Sequence, residues 1–246
     1  MKVRVHDLIF EVTRKCNMQC DHCLRGHAEN KDLTKEIVDK VLDQIDCIDC
    51  LNFTGGEVTL NVEIIRYIID QIIERKIEVY DFFIATNGKI YSDELINAIL
   101  DLYAYRADTW NCDDNECCSL VLSKDEFHEP ISKIHEAKLR SFVFFKDFKI
   151  RTYNGIGIIS KGLALENGIG TRISSIDECS CEVYDENKIY ETLYINVNGD
   201  IFFDCDMSYD EQRELQEFNV FVNDLYDLYQ EELTDINSLT QEKLIS

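Results

Sequence analysis

Strand-like and helix-like patterns alternate through the first two-thirds of the 246 residues, and that alternation predicts an α/β fold built on parallel strands. Asn198-Gly199, flanked by apolar runs at 190–197 and 201–203, predicts a β-hairpin in the last third. A composition that is 45% hydrophobic supports one substantial core with an appendage. The predicted division is a core over 1–165 and an extension with hairpin and helix over 166–246.

Each element has its own signal. Residues 3–12 alternate and then turn apolar, a strand that delivers the chain to a cysteine-bearing loop. Leu33, Ile37, Val38, Val41, Leu42 and Ile45 recur at helical spacing, with Thr34 at the N-cap and Leu33 opposite Val38 as a staple. A brief strand over 50–53 ends at a glycine pair, and Asn61 caps a helix bearing Ile65, Ile68, Ile69 and Ile72. Residues 79–85 form the third strand, and Ser92 begins a third helix through Leu95, Ile99 and Leu102. Beyond an irregular acidic stretch, 119–123 reads as the fourth strand, and Pro130 opens a helix at its first position, where no N–H is required. After the hairpin, Asn223 caps a helix through Leu225, Leu228 and Tyr229.

Charge narrows the partners. Twenty-five basic against 48 acidic residues give a net charge of −23, which repels phosphate backbones and anionic membranes, so neither a nucleic acid nor a membrane is an expected partner. The acidic surface reads first as a solvated one. No apolar signal core follows Met1 and no run is long enough to span a bilayer, so a cytoplasmic location is expected. There the odd count of 11 cysteines reads as metal ligands or buried thiols, not a disulfide framework.

Three of these cysteines are spaced Cys16-x-x-x-Cys20-x-x-Cys23, in the loop after the first strand. Three thiolates hold three irons of a [4Fe-4S] cube and leave the fourth iron open, where four cysteines would close it. Zinc is the competing ligand, with His22 or His27 making up its fourth position. A second motif, Thr54-Gly55-Gly56-Glu57, follows the second strand. Its glycines let backbone approach a ligand closely, and its carboxylate suits an ammonium group.

Together the two motifs resemble the radical S-adenosylmethionine (SAM) superfamily over roughly residues 1–165. The resemblance implies a partial (β/α)6 TIM-like barrel, open on one side, with ligands at the C-terminal ends of its strands. It implies that Cys16, Cys20 and Cys23 bind the cluster and that SAM chelates the open iron. His22, in a slot that is usually aromatic, then lies against the adenine, and Gly55, Gly56 and Glu57 sit beside the methionine ammonium. Asn87, in Ala85-Thr86-Asn87-Gly88, faces the ligand, while Ser123 and Asp125 reach the ribose from the segment that ends in Phe127 and His128. His128 is a candidate contact to substrate or cofactor. Where relatives carry Gly-Arg-Ala, this chain reads Gly162-Leu163-Ala164, with Lys161 as the adjacent cation.

The implied chemistry is reductive cleavage of SAM to a 5′-deoxyadenosyl radical that takes hydrogen from a substrate, with the protein supplying orientation and exclusion of water. The expected substrate is a peptide or protein side chain, and the expected electron donor is flavodoxin- or ferredoxin-like. Cys179, Cys181 and Cys205 bracket the hairpin like a shortened auxiliary-cluster extension, a candidate second iron–sulfur site that Cys112, Cys117 or Cys118 would complete. Cys47 and Cys50 face packing or the barrel wall. A glycyl-radical-enzyme activase and a small-molecule radical SAM enzyme are alternatives within this chemistry. A non-catalytic iron–sulfur or zinc redox-sensing protein is the alternative outside it.

Overall fold

β1 (Val3–Thr13) is the central strand, because its residues are buried in both parities over its second half and both faces are covered. The computed structural model describes residues 1–109, 118–124, 126–147, 157–171 and 188–228. Along the chain follow α1 (Lys35–Leu42), β2 (Ile45–Gly55), α2 (Val62–Arg75), β3 (Glu78–Thr86), α3 (Asp93–Thr109), β4 (Ser119–Leu122), α4 (Lys133–Leu139) and β5 (Phe145–Lys146). Then come α5 (Gly162–Glu166), β6 (Lys188–Ile195), β7 (Asp200–Phe202), α6 (Tyr209–Glu214) and β8 (Phe218–Asn219).

One sheet holds all of these strands, in the order β5-β4-β3-β2-β1-β6-β7-β8. β1 to β5 run parallel, as strand–helix alternation requires, and β6 adds a sixth parallel strand on the free side of β1. The fold is thus the open, mostly parallel half-barrel that the sequence predicts. The sixth parallel strand is the first arm of the predicted hairpin, and β7 and β8 continue from it antiparallel.

Helix faces follow the apolar spacing. α1 buries Ile37, Val38, Val41 and Leu42, and the Thr34 side chain accepts from Ile37 N at its start. α2 buries Ile64, Ile65, Ile68, Ile69 and Ile72, each contributing about 1.5–3 kcal/mol on removal from water. Both helices feed one core with Leu8, Phe10, Leu51 and Phe82 from the sheet.

Four expectations need correction. Ile45, counted into the first helix by its spacing, is the first residue of β2, where it pairs with Val3; a buried isoleucine satisfies either period. Asn61 stands at the start of α2 without capping it, because its Nδ2 donates to Val12 O at 2.8 Å. Pro130 precedes α4 rather than opening it; Ser132 is the cap and accepts from Ile134 N. Asn223 accepts from Asn219 N, and Asp224 instead caps the helical turn over 225–228. Tyr229 lies outside the described residues.

The Asn198-Gly199 signal holds, with a longer turn than the dipeptide alone suggests. Gly199 N donates to Asn196 O at 3.0 Å, and Gly199 itself sits at φ 82°, a turn followed by a left-handed residue before Asp200 resumes pairing.

Candidate functional site

The pairings Thr13↔Gly55 and Thr86↔Leu122 place the C-terminal ends of β1 to β4 along one edge of the sheet. The loops that leave this edge carry the cysteines, Glu57, Asn87 and Ser123. Parallel strands gather sequence-distant residues in this way without any one of them being long.

The glycine pair is demanded by protein backbone. A Cβ on Gly55 would lie 2.1 Å from Thr13 O, and one on Gly56 would lie 2.2 Å from Lys15 O. Gly56 N and Glu57 N donate to those same two carbonyls, both at 2.8 Å. The close approach expected toward a ligand is therefore made to the chain leading into Cys16. The motif fixes the root of the cysteine loop, which closes where Thr13 Oγ1 donates to Asp32 Oδ1 at 2.7 Å and Arg14 N donates to Lys31 O at 2.9 Å.

Glu57 is 2% exposed. Its Oε1 accepts from Thr59 N (3.2 Å), Thr59 Oγ1 (2.7 Å) and Thr86 Oγ1 (2.6 Å), and its Oε2 accepts from Asn87 N (2.8 Å). These donors are neutral, so the charge is solvated without being cancelled, and Oε2 retains acceptor capacity. Asn87, 7% exposed, reaches back to the cysteine loop, where its Nδ2 donates to Asn17 Oδ1 at 2.7 Å. Lys89 Nζ donates to Asn17 O at 2.8 Å.

Cys16, Cys20 and Cys23 are partly buried and not in disulfides. Cys23 N donates to Cys20 O at 3.0 Å, and Cys23 O accepts from Leu163 N at 2.9 Å, which docks the start of α5 on the loop. Burial pushes the Cys16 thiol up; Glu57 and Cys23 push it further, against backbone N–H groups of Met18 and Asn17. The two motifs thus meet in space as well as on one edge.

His22 packs its ring against Phe127 (centroids 4.8 Å apart, 35° between planes) and His128 (5.0 Å, 73°). His22, expected to lie against the adenine, therefore touches the segment that carries Ser123, whose backbone N donates to Thr86 O at 2.8 Å. Asp125 lies outside the described residues, as do Cys112, Cys117, Cys179 and Cys181. Lys161, the cation beside the position of the missing arginine, donates from Nζ to Asp206 O at 2.5 Å and pairs with Glu211 at 3.4 Å. Cys205 lies between Asp204 and Asp206, with their ligand atoms within 4.8 Å of one another, and burial pushes its thiol up to about 11. Cys47 is buried and Cys50 half-buried in β2, as wall residues.

The donor set fits an iron–sulfur cluster. Two anionic-capable thiols and an uncancelled carboxylate lie within electrostatic reach of one another, an arrangement that bound cationic iron and a sulfonium ligand would relieve. Asn17 Nδ2, between Cys16 and Met18, is buried with no hydrogen-bond partner among the described residues. Asn17 and Lys89 escaped the sequence reading. Their only signal was adjacency, Asn17 to the first cysteine and Lys89 to Asn87-Gly88.

Across β1 lies a second polar cluster that spacing alone did not show. Arg14, fully buried, donates from Nε to Glu11 Oε2 at 2.9 Å, from Nη1 to Glu29 Oε2 at 3.1 Å and from Nη2 to Gln212 Oε1 at 2.5 Å. Tyr194 Oη and Val197 N complete Glu11, at 3.0 and 3.1 Å. This cluster ties β1 and the cysteine loop to β6 and α6.

A half-barrel whose strand ends present a three-thiol loop and a Gly-Gly-Glu turn defines an α/β protein of cluster-binding type. A family model described as the radical SAM superfamily matches residues 10–143, more than half of the chain. The chain belongs to the radical SAM superfamily. It is 28% identical over 99 residues to an uncharacterized protein of Methanocaldococcus jannaschii, a match covering 39% of this chain and 35% of that one. It is 28% identical over 101 residues to the tungsten-containing aldehyde ferredoxin oxidoreductase cofactor-modifying protein of Pyrococcus furiosus, covering 39% and 27%. The chain thus spans about a third of the length of these curated relatives. Among solved structures it resembles anSMEcpe, determined with bound AdoMet and a Cp18Cys peptide, at TM-score 0.54 and 12% identity over 92% of this chain and 80% of that one. That likeness concerns the fold. No helix among the described residues is long and apolar enough to cross a membrane.

Proposed function

We propose that this chain cleaves SAM reductively at a [4Fe-4S] cluster held by Cys16, Cys20 and Cys23 and modifies a peptide or protein side chain. The observation that carries the proposal is the convergence of the cysteine loop with Glu57 at the C-terminal strand ends, joined through Gly56 N, Glu57 N and Asn87. When bound, the cluster and SAM supply one-electron cleavage of a carbon–sulfur bond and hydrogen-atom abstraction. The residues of the chain do the rest. Glu57 holds a carboxylate toward the methionine ammonium, with Gly55 and Gly56 fixing its backbone. Asn87 keeps the loop and β3 in register, His22 offers its ring to the adenine, and Ser123 serves the ribose.

A peptide substrate is supported by the structural likeness to anSMEcpe, which was determined with a peptide, and by an acidic chain suited to a basic segment. The name of the Pyrococcus furiosus relative favours a second reading, a cofactor or other small molecule as substrate. A flavodoxin- or ferredoxin-like protein is the proposed reductant.

The test is anaerobic reconstitution with iron and sulfide, followed by SAM and dithionite. About four irons per chain with 5′-deoxyadenosine formed supports a single-cluster enzyme. About eight adds a second site at Cys179, Cys181 and Cys205. Cys20→Ala is expected to lose both the cluster and the nucleoside; continued cleavage by that variant would remove the triad assignment. Feeding basic peptides against small-molecule acceptors and following deuterium transfer separates the two substrate readings.

A further inference from the structure

Tyr209, the first residue of α6, is 3% exposed, and its Oη has no hydrogen-bond partner among the described residues. A phenol buried this deeply ordinarily finds an acceptor, because leaving it without one costs about 1–3 kcal/mol. The backbone places it firmly. Tyr209 N donates to Arg25 O at 2.9 Å, two residues beyond Cys23, and Arg25 Nη1 donates to Met207 O at 2.5 Å, so the start of α6 is clamped to the far limb of the cysteine loop. The Arg14 guanidinium lies 4.3 Å above the Tyr209 ring centroid and holds its plane.

Glu11, Arg25, Arg14 and Cys23 are among the charged groups whose fields reach the hydroxyl. Arginines have no acceptor. Glu11 accepts from Tyr194 Oη on Oε1 and from Arg14 Nε and Val197 N on Oε2, and the Tyr209 hydroxyl reaches neither oxygen. Cys23 is the member of this set that gains acceptors when the protein is loaded: its sulfur and the sulfides beside it then carry the negative charge that a phenolic donor seeks.

We propose that Tyr209 is a positioning residue of the cluster, its O–H donating to the Cys23 sulfur or an adjoining sulfide, and that it thereby raises the cluster's reduction potential. This rests on the radical SAM reading above. Hydrogen bonds to cluster sulfurs set potential because they stabilise the more negative, reduced form. A residue from the C-terminal elements would then tune a centre built from the N-terminal loop.

The test uses the reconstituted full chain, titrated with reductant and followed by electron paramagnetic resonance. Tyr209→Phe is expected to keep about four irons while its reduction equilibrium constant falls by about tenfold, which is 59 mV for a one-electron couple. Fluorotyrosine at 209, a stronger donor of the same shape, is expected to move the potential the other way. It also carries the test alone if the phenylalanine variant fails to assemble the cluster. An unmoved potential in both variants overturns the proposal. A changed SAM affinity with an unmoved potential places the hydroxyl on SAM and overturns it equally. If the unaltered chain binds no cluster, the underlying reading fails; a loaded wild type with unmoved variants sinks the Tyr209 role alone.

Discussion

Two glutamates are buried on adjacent parts of the sheet, Glu11 in β1 and Glu57 just after β2, and the chain satisfies them by opposite means. Glu11 meets a guanidinium, that of Arg14, which goes on to Glu29 and Gln212. Every donor that the described residues supply to Glu57 is a neutral backbone amide or threonine hydroxyl. A charge cancelled by arginine is structurally complete and projects little field. A charge held only by dipoles keeps its field, and a cation arriving beside it finds the desolvation already done. The contrast separates a carboxylate tied into the scaffold from the one proposed to bind.

The largest effect that tests this contrast comes from Arg14→Met. It leaves Glu11 buried and uncompensated, with an expected loss of about 3–5 kcal/mol in chemical denaturation. Adding Glu11→Gln to that variant should recover part of the loss. Additivity within about 0.5 kcal/mol would show that the two side chains do not hold one another. Glu57→Gln comes next. It turns an amide NH2 toward groups that are themselves donors, which lowers stability by about 1–3 kcal/mol. By removing a charge-assisted contact of about 1.5–3 kcal/mol it should also weaken SAM binding about tenfold or more in calorimetric titration. Glu11→Gln should leave SAM affinity where it was. Equal effects on SAM from the two glutamates would erase the distinction.

What was legible in the sequence follows the same divide. Strand–helix alternation and the two motifs placed Cys16, Glu57 and Asn87 on one edge, because parallel strands turn sequence order into spatial order. The reason for Gly55 and Gly56 was not legible, since the carbonyls that exclude a side chain belong to Thr13 and Lys15, more than forty residues earlier. Nor was the Glu11 cluster. Glu11 and Arg14 are neighbours in sequence, but Tyr194 and Gln212 reach them across 183 and 198 residues, through a strand that returns beside β1. α6 does carry a signal, the Ser208-x-x-Glu211 capping box, but its six residues are too few to show an apolar period.

That capping box offers the next, smaller probe. Ser208 Oγ accepts from Glu211 N at 3.2 Å and Glu211 Oε2 accepts from Ser208 N at 2.7 Å, fixing the start of the helix that brings Gln212 to Arg14. Ser208→Ala should cost about 0.5–2 kcal/mol in the same denaturation experiment. Its effect belongs to the Glu11 side, so SAM affinity per loaded cluster should hold. A loss of SAM affinity comparable to that of Glu57→Gln would mean that α6 shapes the binding edge directly.

The smallest effect is a pH dependence confined to the arginine-paired side. Glu29 accepts from Arg14 Nη1 at 3.1 Å and Arg213 Nη1 at 2.6 Å. Burial raises its carboxyl, but the hydrogen bonds from Arg213 and Arg14 outweigh that and hold it below the ordinary glutamate value. With the folded value below the unfolded one, the unfolded chain takes up the proton first as pH falls. The stabilisation is therefore complete above about pH 5 and is lost as pH drops through the folded value. The side chain is 24% exposed, so solvent screens the contribution to a small one. Denaturation midpoints of wild type and Glu29→Gln, followed from about pH 6 to about pH 3, should converge toward acid. A gap that stays constant would assign Glu29 to shape rather than charge, and the guanidinium of Arg14 would then answer to Glu11 alone.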